Sequence, residues 1–243
     1  MWPPNRTSEL PGDSVTHLVL FDIDGTLLRC GPQVRPLFVS ALERVFGGYA
    51  GLEDYDFGGK TDPRIVLDLV KAFGLEEDHI LDRLPEVREH YLRGLEVGLE
   101  RDRMQLLPGV VPLLERLKRR SDITLGLLTG NWQGGAQIKL SRFDLNRFFT
   151  FGAFGDDAVN RRDLVPVALR RAQELHGVDF AADRVLVVGD TVLDVDCAQA
   201  SGVPCLAVAT GFTESHRLKE AGATWVFEDL EEAAHKFDAL GST

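Results

Sequence analysis

Continuous apolar runs constrain this chain more than any other feature. Leu18–Phe21, "ITLGLLT" (123–129), "FFTFGAF" (148–154), "RVLVVGD" (184–190), "PCLAVAT" (204–210) and the shorter "TWVFED" (224–229) read as strands. Most are apolar on both faces, so both faces must be covered, which is the condition of a parallel sheet layered between helices. Helical spacing fills the intervals between them. It runs through "PGVVPLLERLKRR" (108–120), "NWQGGAQIKLSRF" (131–143), "RDLVPVALRRAQELHG" (162–177) and "VLDVDCAQASG" (192–202). A further helix is expected from about Glu214 to Gly222, and a last one after the strand at 224–229.

Residues 31–106 break this rhythm. "RPLFVSALERVFG", "PRIVLDLVKAFG" and "DHILDRLPEVREHYLRGLEVGLER" follow one another as helices, with no strand between them. The chain therefore reads as an α/β core, formed by 17–30 and 107–243, with an all-helical insertion at 31–106 and a loose leader at 1–16. The leader has neither the basic region nor the apolar stretch of a secretory signal.

The composition excludes several classes. Hydrophobic residues make up 44% and charged residues 27%, as in ordinary soluble domains. No apolar run approaches the ~20 residues that cross a bilayer, so no membrane partner is expected. A net charge of −11 disfavours nucleic acid as a partner, since that needs a basic footprint. It does not forbid an anionic substrate, but it suggests a cation between the two. Cys30, Cys197 and Cys205 are odd in number and widely spaced, which argues against a disulfide framework and for a reducing cytoplasm.

In open parallel sheets, ligands bind beyond the carboxyl ends of the strands. There stand Asp22, Asp24, Gly25 and Thr26; then Thr129, Gly130 and Asn131; then Asp156 and Asp157, followed by Arg161 and Arg162; then Asp190, Thr191 and Asp194. Asp190 and Asp194 are four apart at a helix start and can face one spot. Two carboxylates about 4 Å apart repel by roughly 4 kcal/mol at an effective dielectric of about 20. Several converging here need protons or a metal, and hard oxygen ligands beside a phosphate suit Mg²⁺.

Rival readings of these motifs fare worse. "DIDG" alone could be a turn whose aspartates satisfy loop amides. As a calcium loop it fails, because counting from Asp22 the sixth and twelfth positions are Leu27 and Gln33. "FGGKTD" (57–62) lacks the first glycine of a phosphate-binding P-loop, where Asp54 stands, and follows no strand. "GNWQGG" has Trp132 where the second glycine of a dinucleotide loop belongs.

Taken together, the strand ends resemble the haloacid dehalogenase-like superfamily in its Mg²⁺-dependent phosphatase branch. "LVLFDIDGTLL" is similar to its first motif, "LGLLTGN" to its second and "VLVVGDTVLDVDCAQASG" to its fourth. The third motif usually supplies a Lys; here "DAVNRRDLVPVAL" offers Arg161 and Arg162, with Arg161 favoured. The resemblance implies a Rossmann-like core with a helical cap, as in the phosphoglycolate phosphatase and β-phosphoglucomutase group. It implies Asp22 as nucleophile and Asp24 as general acid and base. Thr129 and Arg161 would bind phosphoryl oxygens, and Gly130, Asn131 and the cap residue Lys60 would contact substrate. Mg²⁺ would be held by Asp22, the Asp24 backbone carbonyl and Asp190, with Asp194 supporting its waters. The expected partner is a small phosphorylated metabolite, hydrolysed through an aspartyl-phosphate. A phosphosugar mutase is the alternative. A non-catalytic binding protein on this fold is disfavoured because Asp22, Asp24 and Asp190 are all present. Nothing in the sequence specifies the oligomeric state.

Overall fold

The computed structural model describes residues 17–240, and the leader read at 1–16 lies outside the described residues. The chain opens with β1 (His17–Phe21), which is buried along its whole length, and β2 (Leu28–Arg29). Three helices follow, α1 (Val34–Phe46), α2 (Asp62–Ala72) and α3 (Glu77–Gly98), and then β3 (Gln105–Leu106). The remainder alternates: α4 (Val110–Lys118), β4 (Ile123–Leu128), α5 (Gln133–Ser141), β5 (Gly152–Ala153), α6 (Leu164–His176) and β6 (Val185–Gly189). It ends with α7 (Val192–Ala200), β7 (Cys205–Val208), α8 (Ser215–Glu220), β8 (Trp225–Phe227) and α9 (Ala234–Asp238).

Six strands form one parallel sheet in the order β5-β4-β1-β6-β7-β8. The register sets Val19 of β1 against Leu125 of β4 on one side and Leu186 of β6 on the other. Alternation along β1 then serves two cores. Val19 and Phe21 pack into one layer with residues of α1 and α4, and Leu18 and Leu20 into the other with α6 and α7. The chain builds outward from β1 through β4 and β5, then returns to the opposite side for β6. Thus β1 sits where the connections change direction, the place where such sheets form a ligand crevice. No helix among the described residues is long and apolar enough to cross a membrane.

Two expectations need correction. "FFTFGAF" was read as a strand over 148–154, but only Gly152–Ala153 pairs with β4, and Leu145–Phe148 coils into a 3₁₀ turn. Phe148 and Phe149 are apolar because they are buried, not because they pair. Residues 31–106 were read as strand-free, yet β3 lies at their end and pairs antiparallel with β2, Arg29 opposite Gln105. A pairing of two residues on each strand has no periodicity to read. β2 and β3 thus bracket the three consecutive helices.

Candidate active site

The turn after β1 is dictated by its glycine. The amides of Thr26, Leu27 and Leu28 all converge on the carbonyl of Ile23, which requires Gly25 to take the left-handed conformation (φ 88°). A Cβ on Gly25 would also lie 2.2 Å from Asp190 Oδ2. The same turn brings Thr26 Oγ1 to donate to Asp190 Oδ1 at 3.0 Å. The "DGT" segment therefore builds one wall around a carboxylate that arrives from β6.

Asp22, Asp190 and Asp194 are all buried, and one oxygen of each lies within 4.8 Å of the others. Asp194 is fixed by the start of α7. Thr191 caps that helix by accepting from the Asp194 amide, and Asp194 Oδ2 accepts from the Thr191 amide at 3.0 Å. Its other oxygen takes a bond from Arg161 Nη2. Arg161 is buried; its Nη2 also lies 3.2 Å from Asp22 Oδ1 and donates to the Leu128 carbonyl at 3.1 Å. Its Nε is buried with no partner in the described protein. Arg162, the other candidate, pairs with Asp196 on the surface, its side chain 64% exposed.

The electrostatics of this group point to a cation. Three carboxylates face one guanidinium, so the ionised cluster carries two negative charges in excess. Burial pushes the Asp22 carboxyl up to about 6 despite the pull of Arg161, with Asp194 and Asp24 adding to the rise. Burial and then the Asp194 and Asp22 charges hold Asp190 well above the ordinary carboxylate range. Hard oxygen donors with two surplus charges fit a divalent cation. Asp22 and Asp190 are the better direct donors, since both Asp194 oxygens already serve Arg161 and the helix cap.

Asp24, two residues on, belongs to a different group. Its Oδ2 accepts from Lys139 Nζ at 2.6 Å and from Asn131 Nδ2 at 2.8 Å. Lys139 also donates to Asn131 Oδ1 at 2.6 Å, and Asn131 Nδ2 reaches Thr129 Oγ1 at 2.8 Å. Thr129, Asn131, Lys139 and Asp24 thus form one connected network. Burial pushes the Asp24 carboxyl up, but the Lys139 ammonium and the bonds from Lys139 and Asn131 outweigh it and hold it below its ordinary value. Lys139 was not anticipated, because a lysine in a helix usually reads as solvated. The available signal was its place on α5: Gly135, Ala136, Lys139 and Leu140 form the buried face, spaced as one helical stripe.

The loop before α2 lies directly on these strand ends. Asp62 donates its amide to the Gly130 carbonyl at 2.7 Å, and its carboxylate accepts from the Trp132 amide at 2.8 Å. A Cβ on Gly130 would lie 2.1 Å from the Lys60 carbonyl, so only glycine admits this approach. Arg161 Nη1 donates to the Gly59 carbonyl at 3.0 Å. Burial pushes the Asp62 carboxyl up to about 7. Beside it Trp132 stacks on Phe38 of α1 at 6.0 Å and meets Tyr91 of α3. The ammonium of Lys60 points elsewhere, to the Tyr55 ring at 3.6 Å and Asp68 at 3.8 Å, so the structure brings only its backbone to the site. Asp156 and Asp157 also stand apart, paired with Arg88 and Arg171.

Comparisons with known proteins agree with this architecture. A family model described as haloacid dehalogenase-like hydrolase matches residues 19–208. A phosphoglycolate phosphatase of Pseudomonas savastanoi is 27% identical, over 91% of this chain and 80% of its own length. A phosphoglycolate phosphatase of Rhodospirillum rubrum is 29% identical, over 87% of each chain. Among solved structures, a hydrolase from Pseudomonas syringae shares the fold with a TM-score of 0.67 at 22% identity, covering 92% of this chain and 98% of its own.

Proposed function

Because the chain belongs to the haloacid dehalogenase-like hydrolase family, we propose that it is a Mg²⁺-dependent phosphatase acting on a small, phosphoglycolate-like phosphomonoester. The observation that carries this reading is the division of labour between Asp22 and Asp24. One carboxylate sits among acidic neighbours beside Arg161, and the other two residues away is held by Lys139.

Asp22 is the nucleophile. Its oxygen attacks phosphorus, the ester P–O bond breaks, and an aspartyl-phosphate forms. Asp24, ionised beside Lys139 before substrate binds, takes up a proton with the substrate and gives it to the leaving alcohol, then takes one from the water that attacks the aspartyl-phosphate and returns Asp22 with inorganic phosphate. Arg161 and Thr129 bind the phosphoryl oxygens; the unpartnered Arg161 Nε is a donor ready for such an acceptor. Asp22, Asp190 and the Asp24 backbone carbonyl would hold Mg²⁺, with Asp194 supporting its waters, and the ion would neutralise phosphoryl charge. Gly130 admits the helical segment and Asn131 ties Thr129 to Asp24, so both support the site rather than select the substrate. Residues 31–106 act as a cap that excludes water from the reaction. The three cysteines are buried and unpaired, which supports a cytoplasmic location.

A panel of phosphomonoesters, 2-phosphoglycolate among them, tests this reading on the purified protein with Mg²⁺. Phosphate release that is lost with a chelator and in Asp22→Asn is expected. Isomer conversion of a phosphosugar without net release would replace it with a mutase. Cation binding with no turnover of any kind would leave only a binding protein.

A further inference from the structure

Resting on the phosphatase reading, we infer that Lys139 is a positioning residue for the acid–base carboxylate of Asp24. The side chain of Lys139 is only 4% exposed, whereas that of Asp24 is 41% exposed. The lysine therefore lies beneath the carboxylate, while the carboxylate itself is partly open to solvent. Burying an ammonium costs several kcal/mol unless it is paired and hydrogen-bonded. Here the pairing is specific. Lys139, Asn131 and Asp24 close a triangle in which each partner bonds the other two.

Two bonds on the same oxygen, Oδ2, fix the turn of the Asp24 carboxyl about its own axis. A proton donor must stand within about 2.6–3.2 Å of the leaving oxygen, so a carboxyl free to rotate would spend much of its time out of reach. The triangle also settles which cluster Asp24 joins. A carboxylate on a turn two residues from Asp22 could swing toward a cation held by Asp22 and Asp190 and become a further ligand. Lys139 and Asn131 hold it on the opposite side, and its oxygens are absent from the group that Asp22, Asp190 and Asp194 form. The two carboxylates of the Asp22-Ile23-Asp24 segment meet different cations from different elements: Arg161, shared with Asp194, precedes α6, and Lys139 lies in α5.

The test compares two leaving groups in Lys139→Met, with Lys139→Arg as the charge-retaining variant. An alkyl phosphate releases a basic alkoxide that needs a proton, and p-nitrophenyl phosphate does not. In single-turnover measurements of alcohol or phenol release, which isolate phosphoryl transfer to Asp22 from the later hydrolysis that both esters share, Lys139→Met is expected to lose about 10²-fold on the alkyl ester and less than about fivefold on the aryl ester. Lys139→Arg recovers part of the alkyl activity, and adding Asp24→Asn to Lys139→Met costs little more, because the two act as a unit. Crystal structures of both proteins supply a readout independent of turnover, in which Asp24 is displaced or split between rotamers in Lys139→Met. Equal losses on both esters in that first step, a change confined to substrate affinity, or an unmoved Asp24 overturn the inference. If wild type hydrolyses no ester, the phosphatase reading falls, and the position of Asp24 in the variant alone decides the role of Lys139. Lys139→Gln serves for the same measurements if the Met variant does not fold.

Discussion

Asp22 and Asp24 are separated by one residue, yet their surroundings are opposite. Asp22 is buried among Asp190 and Asp194, with a single guanidinium to share, and its carboxyl is pushed up to about 6. Asp24 is partly open to solvent, is the one carboxylate paired with Lys139, and is held below its ordinary value. β1 ends at Phe21 and the turn closes only after Asp24, yet the two carboxylates join different groups. One group is short of positive charge and fits a cation; the other is balanced by Lys139. The difference teaches that a pair of identical side chains acquires separate chemistry from what stands behind each, not from the residues themselves.

The largest test of this contrast is Asp22→Asn, which should lower kcat by ~10⁴-fold or more if Asp22 is the attacking group. Activity retained there but lost in Asp24→Asn would exchange the two roles. Removing the Arg161 side chain comes next. Arg161→Met is expected to cost about 10²–10³-fold in kcat, while Arg162→Ala, on the surface, leaves it within about twofold. A measurement showing the reverse order would move the phosphate clamp to Arg162.

The cation itself gives a stability readout. Mg²⁺ at about a hundred times its Kd adds ~2.7 kcal/mol to folding, or roughly 5–10 °C in Tm for a chain of this size. Calorimetry should show that shift in wild type, nearly all of it in Asp24→Asn, and none in Asp190→Asn. Loss of the shift in Asp24→Asn instead would merge the two clusters into one.

The smallest expected effect belongs to Asp62, where the helical segment meets the strand ends. Its folded value of about 7 lies above the ordinary 3.8, so the folded state holds a proton that the unfolded chain releases. Its contribution to stability is full below about pH 4 and falls away as pH rises through 7. Asp62→Asn keeps an acceptor for the Trp132 amide and should flatten the decline by on the order of 1 kcal/mol. Denaturant midpoints at pH 5 and 8, with Mg²⁺ saturating so that Asp22 and Asp190 stay ionised, would expose an unchanged slope if Asp62 plays no part.

Much of this was legible in the sequence, for identifiable reasons. β1, β4, β6 and β7 are buried along their whole length because both their faces are covered, and the largely apolar runs this demands read directly. The acidic residues are legible because polar groups stand out when they end such runs. β5 is shorter than its pattern predicts since Phe148 and Phe149 report burial, which apolar character cannot distinguish from pairing. β2 and β3 escaped because two residues carry no period. Lys139 escaped because its partner is 115 positions away, and only the fold puts them together. The same holds for Asp62, whose role as the first acid of a helix hides a buried contact with Gly130 and Trp132.

The small ribbon of β2 and β3 has a consequence for how such a protein can change. The chain departs at Leu28–Arg29 and returns at Gln105–Leu106, already in antiparallel register. The long helical excursion therefore begins and ends at one place, and the order of the large sheet does not depend on what lies between. Replacing the excursion with a two-residue turn would leave a simple hairpin there, provided the exposed face of Trp132 is given a new cover for Phe38 and Tyr91. Such an attachment makes the helical block a removable cassette. Recombination or design can exchange it while the strands of the large sheet keep their connectivity.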